Sequence, residues 1–249
     1  MMNINVTNLK SVLTKATLNN SIENVQFKFN KDGKVVSNMI STNRDAIVML
    51  NVDNDILQSD VDFNFINPNK SLTPFLNLLD QDEVNVKVSD SKIVLIDGNQ
   101  KLNIHFCAPQ VVSVFEGEMD MDIEAFYIME IDDVFIDAFN KIKKIAPSYG
   151  MVYFSVEDGS FFIETTDKSN EFSNGLKIEL TKKLKCDDLN LCFDYKNFNN
   201  LITVINGDAD EFSLEFFYIK DHVAGMLQAK KEDKSETYAL MSVIMEEDE

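Results

Sequence analysis

The chain has 249 residues, 45% of them hydrophobic, and a formal net charge of −19. That length buries one large core or two medium ones, and the charge excludes general adhesion to nucleic acid or anionic membrane. No run approaches the ~18 apolar residues that a membrane span needs.

The opening MMNINVTNLKSVL lacks a basic region followed by an apolar block, so no signal peptide is expected. Within it, Leu9, Val12, Leu13 and Ala16 fall at i, i+3, i+4 and i+7, the stripe of an amphipathic helix, which we place at 7–19. Strand-like runs follow: IENVQFKFN, the turn KDGK, VVSNMIST, AIVMLNV and DVDFNFI. Leu72, Phe75, Leu76 and Leu79 repeat the stripe in a helix at 68–79, and EVNVKVSD, KIVLID and KLNIHFC read as strands. Phe135, Ala138, Phe139 and Ile142 mark a third helix at 131–145, followed by GMVYFSVED, SFFIETT and LKIELT. LNLCFDY leads into the fourth helix, 195–206, striped by Phe198, Leu201, Ile202 and Ile205, and three more strands close the chain.

The stripes begin at 9, 72, 135 and 198, a constant step of 63 residues. The chain therefore reads as four strand–helix–three-strand units. Two units make a domain, giving domains at 1–106 and 123–249 joined by a linker at 107–122. The fold class is α+β, with helices of one apolar stripe lying on one face of antiparallel sheets.

Charge is distributed unevenly over these elements. The four helices hold Lys10, Lys15, Lys70, Lys141, Lys143, Lys144 and Lys196 against Asp132, Asp133 and Asp137, a balance of +4; the remainder of the chain carries −23. The segment NKIKKIAP has a plainer reading as well, since aspartates opening a helix and lysines closing it suit its dipole. Asp137 and Lys141 also have the spacing of a simple i, i+4 pair. Three of the four helices nonetheless carry no acid at all. A lysine face of this kind suits weak, sequence-blind contact with phosphates. Such contact holds a repelling protein on DNA only if the protein encloses the duplex. Arg44 is the only arginine, so bidentate reading of bases is nearly absent.

Residues for catalysis do not assemble. His105 and His222 are the only histidines, and Cys107, Cys186 and Cys192 are odd in number and form no CxxC pair. There is no phosphate-binding GxxxxGK[ST] loop and no GxGxxG. Glu116, Glu118, Asp120, Asp122 and Glu124 alternate in the linker region, a pattern of a solvated edge before that of a divalent-ion site. We expect no enzyme, no cofactor and no metal, and a reducing, cytoplasmic setting.

The chain resembles the DNA polymerase sliding clamps, of the proliferating cell nuclear antigen and phage processivity-factor type. The resemblance rests on the four repeated units, the linker, NMISTNRDAIVMLNV at 38–52, and the ending ALMSVIMEEDE. It implies a homotrimeric ring around double-stranded DNA, with Lys10, Lys15, Lys70, Lys141, Lys144 and Lys196 facing the phosphates. It also implies a pocket for peptides of the polymerase, clamp loader and other partners. That pocket is expected at Ile40, Val112, Val114, Phe115, Val243, Ile244 and Met245. Ring closure is expected through edge strands near 100–106 and 173–181. Composition and size lean toward a phage, hence the host cytoplasm. The absence of arginine from the helices departs from the family and weakens the expected DNA contact. Two other readings are a monomeric factor that grips DNA without closing, and an acidic DNA mimic or scaffold.

Overall fold

Three of the four periodic segments fold as a strand, a helix and three strands, and the second carries two short helices in place of one. The structure, a computed structural model, describes every residue except 1, 31–32, 58–61, 118, 120–123, 169, 171, 183, 185–186, 220–223 and 244–249. The first repeat comprises β1 (Met2–Asn5), α1 (Val6–Ala16), β2 (Asn24–Asn30), β3 (Lys34–Ile40) and β4 (Ala46–Asp53). The second comprises β5 (Asp62–Ile66), two short helices α2 (Pro68–Ser71) and α3 (Thr73–Leu76), then β6 (Glu83–Ser89), β7 (Lys92–Asp97) and β8 (Gln100–His105). The third has β9 (Tyr127–Glu130), α4 (Asp133–Ile142), β10 (Met151–Glu157), β11 (Ser160–Thr165) and β12 (Leu176–Lys182). The fourth has β13 (Leu189–Asp194), α5 (Tyr195–Ile205), β14 (Phe212–Ile219), β15 (Ala224–Lys231) and β16 (Glu236–Met241).

The chain divides into two units, Met1–Gly117 with Asp233–Thr237, and Glu118–Glu232 with Tyr238–Glu249. In the first unit, β1 leaves its own repeat to pair with β6, and β5 leaves its own to pair with β2, both antiparallel. In the second unit β9 pairs with β14 and β13 with β10 in the same manner. Each repeat thus completes the sheet of its neighbour, so one repeat alone has an unfinished sheet and no way to cover it.

Three helices start where the sequence caps them. The side chains of Asn5, Asp132 and Asp194 accept hydrogen bonds from the backbone N–H groups of Asn8, Phe135 and Asn197 at 2.8–2.9 Å. Their stripes are buried as expected: Leu9, Val12, Leu13 and Ala16 on α1, Phe135, Ala138, Phe139 and Ile142 on α4, Phe198, Leu201, Ile202 and Ile205 on α5. Each large side chain so buried contributes about 1.5–3 kcal/mol.

The second helix differs from the expected single span. It breaks at Leu72, whose φ and ψ are −121° and −53°. Pro74 is the physical reason, because a continuous helix would drive its ring into the carbonyl of Lys70 and leave that carbonyl without a donor. After the break the stripe no longer holds. Leu72 and Leu76 are buried, whereas Phe75 is 47% exposed and Leu78, three residues on, is exposed as well.

Inside the first unit α1 packs on β3 and β4 and touches α2 and α3, with the Asn69 amide donating to the Thr17 hydroxyl at 2.9 Å. Inside the second, α4 packs on β11 and β12 and α5 on β10 and β13, and Phe139 meets Phe198 edge to face at 5.5 Å. The first unit therefore sets α1 beside α2 and α3, and the second sets α4 beside α5. Among the described residues no helix is long and apolar enough to cross a membrane.

Candidate nucleic-acid interface and peptide groove

The sequence-expected lysines fall into three groups once their surroundings are known. Lys70, Lys144 and Lys196 are exposed and Lys10 is half-exposed, and none of them forms an ion pair among the described residues. Lys143 is exposed too, its ammonium 5.9 Å from the centre of the Phe139 ring. Lys141 pairs with Asp137 at 2.6 Å, but both partners are solvated, so the pair is worth about 0.3–0.5 kcal/mol and exchanges easily for a phosphate. Lys15 stands apart. Its Nζ lies 2.6 Å from Oε1 of Glu236, with side-chain exposures of only 21% and 4%. Lys15 faces a carboxylate of its own unit, a partnership no helical periodicity contains.

The acids near these helices are placed by local structure. Asp132 is the N-cap of α4, and its carboxylate is turned to the helix N–H groups. Past α5 the chain continues as a 3-10 turn, Asn206–Glu211, which brings Asp208, Asp210 and Glu211 to the C-terminal end of that helix. Glu211 pairs with Lys231 at 2.9 Å. The sequence reading ended the helix at 206 and did not include this acidic end.

The linker is laid on the first unit by backbone bonds. Cys107 N–H donates to the Asn64 carbonyl at 2.9 Å, Ile40 N–H to Ser113 at 3.2 Å, and Phe115 N–H to Asn38 at 3.0 Å. Val114 bridges Met39 in antiparallel register. Ile40, Val114 and Phe115 are consequently brought together, all half-buried, while Val112 is buried. Val111, which the sequence reading did not single out, is 46% exposed in the 3-10 turn Pro109–Val111 beside them. The Phe115 ring lies over Gly117, where an added Cβ would come within 2.8 Å of it. In the second unit, Val243 is 39% exposed and its N–H donates to the Cys192 carbonyl at 2.7 Å. Ile244 and Met245 lie outside the described residues.

The remaining candidates are quickly placed. Glu116 and Glu124 of the alternating acids are exposed; Glu118, Asp120 and Asp122, like Cys186 and His222, lie outside the described residues. His105 is exposed on β8. Burial pushes the thiols of Cys107 and Cys192 above the ordinary range, which disfavours the reactive thiolate. β8 ends the sheet ordered β1-β6-β7-β8, and β12 ends the sheet ordered β12-β11-β10-β13, so each has one strand neighbour within its sheet.

No family model matches the chain, and no curated protein sequence matches it. Solved structures do. PCNA of A. fulgidus, in a structure with the C-terminal region of FEN-1 bound, is similar with a TM-score of 0.63 at 15% identity, covering 99% of this chain and 100% of that one. PCNA of Thermococcus kodakaraensis is similar with a TM-score of 0.61 at 14% identity, covering 98% and 99%. The DNA polymerase III beta chain of Streptococcus pneumoniae reaches a TM-score of 0.66 at 12% identity over 100% of this chain and 67% of its own. From end to end, the chain has the fold of the sliding clamps.

Proposed function

We propose that the protein is a sliding clamp, a non-catalytic ring that encircles duplex DNA and tethers the replicative polymerase and other partners. The observation that carries the reading is the full-length likeness to PCNA, joined to a set of unpaired lysines on helices within a −19 protein. Lys10, Lys70, Lys144 and Lys196 contact phosphates, with Lys141 joining after release from Asp137. Lys15 is assigned a structural role instead. Contacts of this kind are weak and depend on salt, so retention on DNA comes from enclosure.

The ring is a homotrimer of the two-domain subunit, closed by β8 of one copy pairing with β12 of the next. Both strands end their sheets, and an open edge left unpaired invites aggregation. α4 packs on β12 and exposes Val134, while the turn after α3 is tied to β8 through Gln100 and Asp80, which leaves Phe75 and Leu78 for burial on closure. Partner peptides dock in the groove of Ile40, Val114 and Phe115 beside the linker. A. fulgidus PCNA binds the C-terminal region of FEN-1, and this chain is assigned a partner of the same kind.

Two measurements test the reading. Light scattering of the free protein should give three times 28.4 kDa, and a monomeric mass would reject the ring. Replacing Lys10, Lys70, Lys144 and Lys196 together by Gln should lower polymerase processivity while the trimer stays intact; unchanged processivity would remove the lysine face from the proposal.

A further inference from the structure

The helices do not hold all of the unpaired positive charge. In the sheet ordered β1-β6-β7-β8, Val84, Val86, Ile93, Leu95 and Ile104 point into the core. The alternate residues form the opposite face, and the strand register sets their neighbours. Lys87 lies opposite Val94, which lies opposite Asn103; Lys92 lies opposite His105; Ile96 lies opposite Lys101. Three lysines and a histidine therefore share one sheet face around Val94 and Ile96. Glu83 is the acid on that face, and Asp90 sits in the turn between β6 and β7. Among the described residues none of the three lysines forms an ion pair. The β12 edge shows the contrast, because there Lys177 pairs with Glu157 and Lys182 with Glu179. In a chain with 42 acids and 23 basic residues, three lysines against one acid on a face are a local reversal of the protein's field.

We propose that this face docks an acidic, extended segment of a protein partner through Lys87, Lys92 and Lys101. The face carries no Phe, Tyr, Trp or arginine, and His105 at its edge is its one ring, so it offers a run of successive bases little to stack on. An extended peptide fits better. Its alternate side chains recur about every 7 Å, the same repeat that separates Lys92, Val94 and Ile96 along β7. Carboxylates at alternate positions, all on the side of the segment that faces the sheet, meet the lysines. Lysine ammonium groups are mobile point charges, so the site selects acidity and extension more than an exact sequence. The surface is separate from the lysine helices and from the groove beside the linker.

The test uses the full chain and fluorescence anisotropy with two labelled probes, a peptide of alternating Glu and Val and an oligothymidylate. Saturable, salt-sensitive binding of the peptide is expected, with affinity falling at least tenfold when Lys87, Lys92 and Lys101 are all changed to Gln. The helix variant carrying Gln at 10, 70, 144 and 196 should bind the peptide as the native protein does. Should the triple variant fold poorly, Lys87→Gln and Lys101→Gln, both at exposed positions, should each lower affinity severalfold. No saturable binding, native affinity in the variants at 87, 92 and 101, or tighter binding of the oligothymidylate would overturn the proposal.

Discussion

Lys15→Met separates a structural lysine from a DNA-contacting one. In the native fold the Lys15 ammonium and the Glu236 carboxylate are 2.6 Å apart, and Glu236 is almost wholly withdrawn from water. Two unit charges 4 Å apart attract by about 4 kcal/mol at an effective dielectric of about 20. Removing one partner of a buried pair costs about 3–5 kcal/mol, because the other charge stays desolvated. Lys15 is one-fifth exposed and Glu236 engages further groups, so the loss falls at or just below the lower end of that range. We expect a loss of about 2–3 kcal/mol, or about 5–10 °C in Tm for a chain of this size. Lys15 also lies in the last turn of α1, where a cation is favoured, and that term is included. Pairing Lys15→Met with Glu236→Leu should restore most of the loss, since two apolar groups can replace a buried pair at little cost. The assay is a double-mutant cycle by chemical denaturation, run beside processivity measurements on the folded fraction. Additive single effects, or a Lys15→Met loss below about 0.5 kcal/mol, would refute the structural assignment. Processivity falling with no loss of stability would return Lys15 to the DNA face.

Gly117→Ala should push the Phe115 ring aside, because the new Cβ meets its tip at 2.8 Å. Calorimetry with a polymerase C-terminal peptide should then show severalfold weaker binding with an unchanged melting curve. Gly225→Ala places a Cβ 2.2 Å from Cδ2 of Leu191 and 3.1 Å from the Phe217 carbonyl oxygen, and should destabilise by about 1–3 kcal/mol in urea. The Tyr153 hydroxyl is pushed up to about 12, first by burial, then by the charge and hydrogen bond of Cys192 and by Asp167 and Glu164. A tyrosine titrates near 10 when unfolded, so its stabilising contribution is complete below pH 10 and is lost as pH rises from 10 to 12. The loss amounts to about 2–3 kcal/mol. Tyr153→Phe should flatten that part of the alkaline denaturation profile, and an unchanged profile would reject the assignment.

The sequence by itself determined the repeating unit, because helix and strand periods are local properties written into residue order. Leu9, Phe135 and Phe198 begin stripes that the folded chain buries, and Asn5, Asp132 and Asp194 cap the helices that carry them. The second stripe misled at Phe75: apolar spacing continued past Pro74, but backbone sterics ended the helix first. Charge counts found the lysine-bearing helices but not which lysines remain available. Lys15 and Glu236 are 221 residues apart, so their partnership exists only after the chain closes on itself. The same holds for the crossed first strands, β1 on β6 and β9 on β14, and for Val114 on Met39. It holds equally for Lys87, Lys92 and Lys101 around Val94 and Ile96, whose common face appears only with the strand register. Periodicity says which side of an element is wet, and only tertiary pairing says what stands opposite it.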